Sequence, residues 1–295
     1  MNRRTALAAM AGACAPLRAQ EEKAPLDFVC PMDPDVRAAG PAKCPRCGMP
    51  LVLGLPEPVE FPVRLTTLPR VVKPGAPVEL LFEVLDPKTN RRVRKFEIVH
   101  EKLFHLFLVS DDLSYFAHEH PDFEPGGLFR FKTVLPQPGA YRVLCDFYPA
   151  GGTPQMSGRT LLTAGYRPGI AAPSLPPDTA PQRGENLQIE LQTDPPQPLA
   201  GQRTKLFFRL SPTDRLEQFL GAWGHMLAAS GDLIDVIHAH PYLVQFAPPY
   251  LTGEGHQMQF NLVFPRRGVH RVWLQIQRAG TVNTVAFNIP VIALG

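Results

Sequence analysis

Cys44 and Cys47 stand in Cys-Pro-Arg-Cys, followed by Gly48 and Met49, while Cys30 opens Cys-Pro-Met with Met32 and Asp33. Two thiolates separated by two residues can face one ion while the backbone between them turns its NH groups toward the sulfurs, and Gly48 permits the turn that follows. Cys30 supplies a third thiolate from a separate limb. With Met32 or Met49 as a further ligand the set suits a soft ion such as Cu(I) or Ag(I), whereas Asp33 or a water suits zinc. Two other readings use the same residues. A Cys44–Cys47 disulfide fits an oxidising compartment. A purely structural zinc knuckle fits a segment too short to bury a core. A thioredoxin-like role does not fit, because no βαβ pattern surrounds the motif. Cys145 lies in an apolar run and reads as a buried thiol.

Six of the nine histidines obey one pattern: His, twelve residues, His, one residue, His, then Pro. It places His105, His118 and His120 before Pro121, and His225, His238 and His240 before Pro241. Imidazole is a borderline ligand suited to copper, zinc or nickel. Three imidazoles on a rigid scaffold make a metal site completed by water or by a carboxylate such as Asp122. The alternative is structural: a histidine inside an apolar run, as His105 is, commonly bonds backbone carbonyls in a core.

The elements that must position these rings are short strands. "KLFHLFLVS" and "SYFAHEH" read as two strands joined by a tight turn at "SDDL", replaced by "SGDL" in the second pattern. A turn centred between Asp111 and Asp112 sets His105 directly opposite His118, with His120 on the diagonal. Directly opposed Cβ atoms sit about 5 Å apart and diagonal ones about 7 Å. His118 and His120 point the same way because strand side chains alternate, which turns Glu119 to the other face. The second hairpin sets His225 opposite His238 by the same logic. A turn of odd length would send His105 and His225 to the opposite face.

The two histidine patterns belong to a tandem repeat. "FHLFLVSDDLSYFAHEHP" aligns with "GHMLAASGDLIDVIHAHP", "LPQPGAYRV" with "FPRRGVHRV", and "PGAPVELLFEV" with "LAGQRTKLFFRL", in one order. The first copy shows about seven apolar runs, near 61–66, 77–84, 103–109, 115–119, 128–135, 140–147 and 159–164. With 34 prolines against long helices, this spacing predicts a mainly β protein. The expected architecture is two tandem immunoglobulin- or cupredoxin-like β-sandwiches, preceded by a small Cys-rich metal-binding module and a signal peptide, with a barrel as the alternative. The expected boundaries are 1–19 for the signal peptide, 27–55 for the module, 60–165 for the first sandwich, 166–184 for a proline-rich linker and 185–294 for the second sandwich.

"FVCPMDPDVRAAGPAKCPRCGMPLV", Phe28 to Val52, closely resembles the heavy-metal-binding domain of bacterial metal-tolerance proteins, a module that also precedes metal-efflux pump adaptors and some metal-transporting ATPases. The resemblance implies Cys30, Cys44 and Cys47 as ligands, with Met32 and Met49 as further candidates. Many members carry His where this chain has Asp33, which removes a nitrogen from the expected fourth position. The repeats also look like exported bacterial domains that follow this module. Nothing resembles the transmembrane part of an ATPase or the helical hairpin of an adaptor. The resemblance therefore implies a metal binder that is not itself a transporter.

Composition narrows the partners. Arg3 and Arg4 followed by the small apolar run Thr5–Ala15, with a cleavage point after Ala19, predict export to the periplasm or the medium. The run is too short to span a bilayer, and Cys14 offers a lipidation site. Cleavage would remove three arginines and no acid from a formal charge of +3, so no charge excess remains to favour nucleic acid. The Arg91–Lys95 run reads as a solvated loop. There is no serine nucleophile motif, phosphate loop or telling carboxylate pair, so no enzyme is predicted. The sequence thus predicts an exported heavy-metal-binding protein of the copper, silver or zinc class, holding a transition-metal ion, copper or zinc first, and acting in buffering, delivery or tolerance with a metal-efflux or delivery protein as its partner class. The alternative is a structural or interaction protein of tandem β-sandwiches with a structural zinc knuckle.

Overall fold

Every named strand pairing in the molecule is antiparallel. The structure is a computed structural model that describes residues 28–33, 36–54, 59–167, 175–245 and 257–293. The expected signal peptide lies outside the described residues.

The N-terminal module contains three two-residue strands, β1 (Phe28–Val29), β2 (Arg37–Ala38) and β3 (Val52–Leu53), in the order β2-β1-β3. Strands this short bury little on their own. What they enclose is Cys30, Cys44, Cys47, Met49 and Leu51, packed against Val99 and Tyr148 of the domain that follows.

The first repeat comprises β4 (Val63–Leu68), β5 (Pro77–Val84), β6 (Phe104–Ser110), β7 (Phe116–Glu119), β8 (Asp122–Glu124), β9 (Leu128–Val134), β10 (Ala140–Phe147) and β11 (Gln155–Leu162). They form two sheets, β4-β5-β9-β8 and β11-β10-β6-β7. Lettered A to G along the chain, these are A-B-E-D and G-F-C with one added C′ strand, which is the immunoglobulin arrangement. Two open sheets face each other, so each repeat is a sandwich and not a barrel. The strand missing from the sequence-based count is β8, three residues long and largely exposed.

The second repeat comprises β12 (Gln182–Arg183), β13 (Gln188–Asp194), β14 (Arg203–Ser211), β15 (Leu216–Glu217), β16 (His225–Ser230), β17 (Val236–Ala239), β18 (Leu243–Gln245), β19 (Gln257–Val263), β20 (Gly268–Arg278) and β21 (Thr281–Val291). Its sheets reproduce the first pair, β13-β14-β19-β18 and β21-β20-β16-β17, with β12 and β15 added to β13 and β20. Within the stretch read as a linker, Gln182 and Arg183 pair with β13, and Asp178 bridges to Asn288.

Alternation fills each sandwich. In the first, Val78, Leu80, Phe82 and Val84 of β5 meet Leu106 and Leu108 of β6 and Tyr141, Val143 and Cys145 of β10. The other face of β6 carries His105, Phe107 and Val109, and it is buried too, as every residue of β6 and of β16 is. What covers it is the second repeat. Phe107, Val109, Leu113 and Leu144 pack with Leu227, Ala229, Leu233 and Trp273 in one apolar cluster. Phe116 stacks on Trp273 with ring centroids 4.9 Å apart. The two sandwiches therefore dock through equivalent sheets, and both histidine hairpins lie in the seam.

Candidate metal centres

The knuckle of the first site forms as its residue types require. Gly48, at φ +74, donates its NH to the carbonyl of Cys44 at 2.9 Å, and Cys44 N bonds Met49 O at 2.7 Å. The left-handed turn is inexpensive only for glycine. Cys30 arrives from the end of β1, its sulfur 3.5 Å from that of Cys47. Asp33 Oδ2 lies 3.3 Å from Cys44 Sγ and 3.8 Å from Cys30 Sγ. Cys30, Asp33, Cys44 and Cys47 each present one ligand atom within 4.8 Å of the others. Met49 is fully buried among the thiols, and Met32 is half-buried beside them. Arg46 pairs with Asp33 at 3.5 Å and rests over the Tyr242 ring at 4.3 Å.

The four described cysteines are free thiols. The Cys47 thiol, donating toward Cys30, lowers the Cys30 pKa to about 6. Burial raises Cys44 to about 11, and the bond with Cys30, followed by burial, drives Cys47 up. Three crowded sulfurs can share one negative charge by themselves; a bound cation lets all three ionise. Cys145 is a buried core thiol whose pKa is raised by desolvation.

The histidine hairpins differ in register from the sequence expectation. Phe107 and not His105 stands opposite His118, and Leu106 opposite Glu119. The cause is a four-residue loop. Ser110 N bonds Tyr115 O, Leu113 takes a left-handed φ of 62°, and Asp112 accepts from Ser110 Oγ at 2.5 Å and from Ser114 N at 3.0 Å. The turn centre moves by one residue and the register by two, so the parity survives. His105 now lies level with His120, with His118 on the diagonal; their rings are 5.0 Å and 5.4 Å away between centroids. The second copy shows the same slip, with Leu227 opposite His238 and Leu233 at φ 55°. Asp122 lies on β8 in the other sheet, exposed and opposite Arg130.

Hydrogen bonds fix the tautomers. His105 Nε2 lies 3.0 Å from the Val99 carbonyl oxygen and therefore donates, leaving Nδ1 as a bare lone pair. His118 Nδ1 lies 2.8 Å from Gln275 Oε1, while the amide nitrogen of Gln275 is held 3.1 Å from Thr284 Oγ1. With the Gln275 amide in this orientation, His118 donates from Nδ1, and its Nε2 is bare. These two bare nitrogens, His105 Nδ1 and His118 Nε2, sit 3.2 Å apart, and His120 Nε2 is also 3.2 Å from His105 Nδ1. Two lone pairs facing each other at that distance repel unless a cation, or a proton such as one donated by His120 Nε2, lies with them.

The second copy repeats the device. His225 Nε2 donates to Phe219 O at 2.7 Å, and His240 Nε2 is 3.1 Å from His225 Nδ1. His238 Nδ1 donates to Asp146 Oδ2 at 2.5 Å, and His238 Nε2 is buried without a hydrogen-bond partner among the described residues. Asp146 and Gln275 hold equivalent positions: Asp146 pairs with His105 across β10–β6, and Gln275 with His225 across β20–β16. Each copy therefore orients a histidine of the other. A ligand imidazole whose second nitrogen donates to a carboxylate or amide oxygen is the usual arrangement behind a bound metal.

Burial keeps five of the rings unprotonated, so that their lone pairs stay available. Burial lowers His105 to about 4 and His120 to about 3, and it pushes His118, His225 and His240 well below the ordinary imidazole range. Burial alone would raise Asp146, but the bond from His238 brings it below the usual carboxylate value.

Three residues of this centre were not singled out in the sequence: Asp146, Gln275 and His100. His100 falls outside the repeated pattern, where the second copy has Leu220. Both take a left-handed φ, 45° and 51°. The His100 ring lies on that of His240 with centroids 3.6 Å apart, and its Nε2 has no hydrogen-bond partner among the described residues. The two sites share an opening. One cavity of about 760 Å³ is lined by Met32, Asp33 and Cys47 on one side and by His100, His238 and His240 on the other.

A family model described as a domain of unknown function, DUF8832, matches residues 60–159 and 182–292, the two sandwiches. Residues 28–52 lie outside that match, so their metal-binding resemblance rests on their own motif. Among curated proteins none matches the chain. Solved structures similar to it include the Escherichia coli adhesin FdeC, at 11% identity over 84% of this chain and 68% of that one, with a TM-score of 0.26. The Yersinia pseudotuberculosis adhesin InvE follows at 12% identity, 77% and 58% coverage and a TM-score of 0.24. A titin A168–A169 fragment shows 12% identity, 79% and 98% coverage and a TM-score of 0.22. Superpositions this loose carry no argument, and the fold assignment rests on the strand order. Among the described residues no helix is long and apolar enough to cross a membrane.

Proposed function

The chain belongs to the DUF8832 family, whose description names no activity, and from its sites we propose that it is an exported heavy-metal-binding protein of the copper, silver or zinc class. Its role is buffering, delivery or tolerance, exercised in the periplasm or medium and in exchange with an efflux or delivery protein. It binds ions and catalyses no reaction. The observation that carries this reading is the facing pair of bare nitrogens, His105 Nδ1 and His118 Nε2, 3.2 Å apart in a buried seam. A fold keeps such a contact when a cation neutralises it. The thiols of Cys30, Cys44 and Cys47, with Asp33 and the methionines beside them, suit a softer ion, and the histidines a borderline one.

A second reading is an interaction protein in which tandem sandwiches present a surface and the module holds one structural zinc. The tandem-sandwich architecture favours it, and so does the module, whose buried centre consists largely of the thiols themselves. Elemental analysis of the full-length exported chain separates the two. The wild type, C44S/C47S, H118A/H120A and H238A/H240A proteins are loaded with copper or zinc and dialysed. The metal-handling reading expects more than one ion per chain and a loss in each variant. One tightly held zinc, lost only with the cysteines, would favour the interaction protein.

A further inference from the structure

The repeat sets the six histidines out as two triads, but their rings interleave. His118 lies 5.4 Å from His225 between centroids, His105 lies 5.4 Å from His238, and His105 lies 6.4 Å from His225. These spacings match those inside a triad, where His225 and His238 are 6.1 Å apart. Two groups offer ligand atoms within 4.8 Å of one another. One is His105, His118 and His120; the other takes His118 from the first copy with His225 and His238 from the second.

We infer that the two triads form one centre holding two ions across the seam between the sandwiches, with the single free lone pair of His118 within reach of either ion. This inference rests on the metal-binding reading above and adds to it the number and the sharing. Three observations carry it. His118 belongs to both candidate ligand groups. His118 and His238 are each aimed by a side chain of the other sandwich, Gln275 and Asp146. The seam around them is sealed by the Phe107, Leu144, Leu227 and Trp273 cluster, which holds the halves at fixed separation. Six imidazoles, with a seventh in His100 against His240, suit two borderline ions such as Cu(II) or Zn(II). Pairs of ions in such shared sites lie about 4 Å apart. The cavity reaching His100, His238 and His240 gives the ions a way in.

The test uses the full-length chain and Cu(II) as probe. C44S/C47S leaves the histidines to take the copper, and the unmutated chain with its thiols filled by Ag(I) serves the same end without a substitution. Dialysis counts the ions and electron paramagnetic resonance counts the spins. The inference expects two Cu(II) per chain, with the signal of the first broadened or lost as the second binds, because neighbouring ions couple. It also expects Asp146→Ala, on the first sandwich, to weaken copper binding by about 10–100-fold at the triad of the second. Two ions with additive, uncoupled spectra would overturn the shared centre and leave a protein with two independent metal sites. A single histidine-bound ion would also overturn it. No histidine-dependent copper at all would remove the reading on which it stands.

Discussion

His238 donates from Nδ1 to Oδ2 of Asp146 at 2.5 Å, joining residues 92 positions apart and on different sandwiches. The equivalent bond in the other direction joins His118 to a neutral amide, Gln275, at 2.8 Å. Removing the two histidines should therefore cost different amounts. His238→Ala strands a buried carboxylate, which typically costs about 3–5 kcal/mol. His118→Ala strands a buried amide oxygen, at about 1–3 kcal/mol. Denaturant unfolding of the metal-free protein checks the order, and equal losses would mean that Asp146 is not held as a charge.

Trp273 is not among the candidate ligands, yet it belongs to the apolar cluster that closes the seam beside them. Trp273→Ala removes its stack with Phe116 and its place in the apolar cluster. A loss of about 3–5 kcal/mol is expected from the cavity. Copper affinity at the histidines should fall with it, while metal bound by the cysteines stays unchanged. Isothermal titration of both sites would expose an interface role that does not reach the ligands.

The module should depend on its ion and the sandwiches should not. Its strands are two residues long and its buried centre is largely sulfur. Stripping metal with a chelator is expected to open residues 28–53 to protease, while both sandwiches resist. Unchanged protection of the module after chelation would show that packing on Val99 and Tyr148 suffices.

The hairpin loops offer a fourth measurement. Among the described residues Asp112 accepts from Ser110 and Ser114 of its own hairpin, whereas Asp232 also receives Arg266 at 2.9 Å. Asp112→Ala should cost about 1 kcal/mol, and Asp232→Ala somewhat more. Thermal unfolding of the two variants gives the comparison.

Much of this was legible in the sequence because it depends on local chemistry. The knuckle at Cys44 and Cys47, the alternation that sets His118 and His120 on one face, and the paired repeats all follow from spacing. The register did not, because a leucine at Leu113 gives no sign that it will adopt a left-handed conformation; glycine would have. Nor did the docking of the repeats, which no spacing within a repeat encodes. The signal was present in another form. "FHLFLVS" is apolar without alternation, as a strand covered on both faces must be, and Asp146 is an acid inside the apolar run "YRVLCDFYP". A charge in such a place needs a partner from elsewhere, and the partner is a histidine from the other copy.

Asp146 and Gln275 can differ because both repeats lie in one chain. Two identical chains meeting about a twofold axis would have to carry the same residue at both positions. A repeat within one polypeptide is free of that constraint, and here one half sets a negative charge, Asp146, where the other sets a neutral amide, Gln275. Two ions bound as proposed would meet a stronger berth beside Asp146 and a weaker one beside Gln275, and the sequence itself would then decide which fills first.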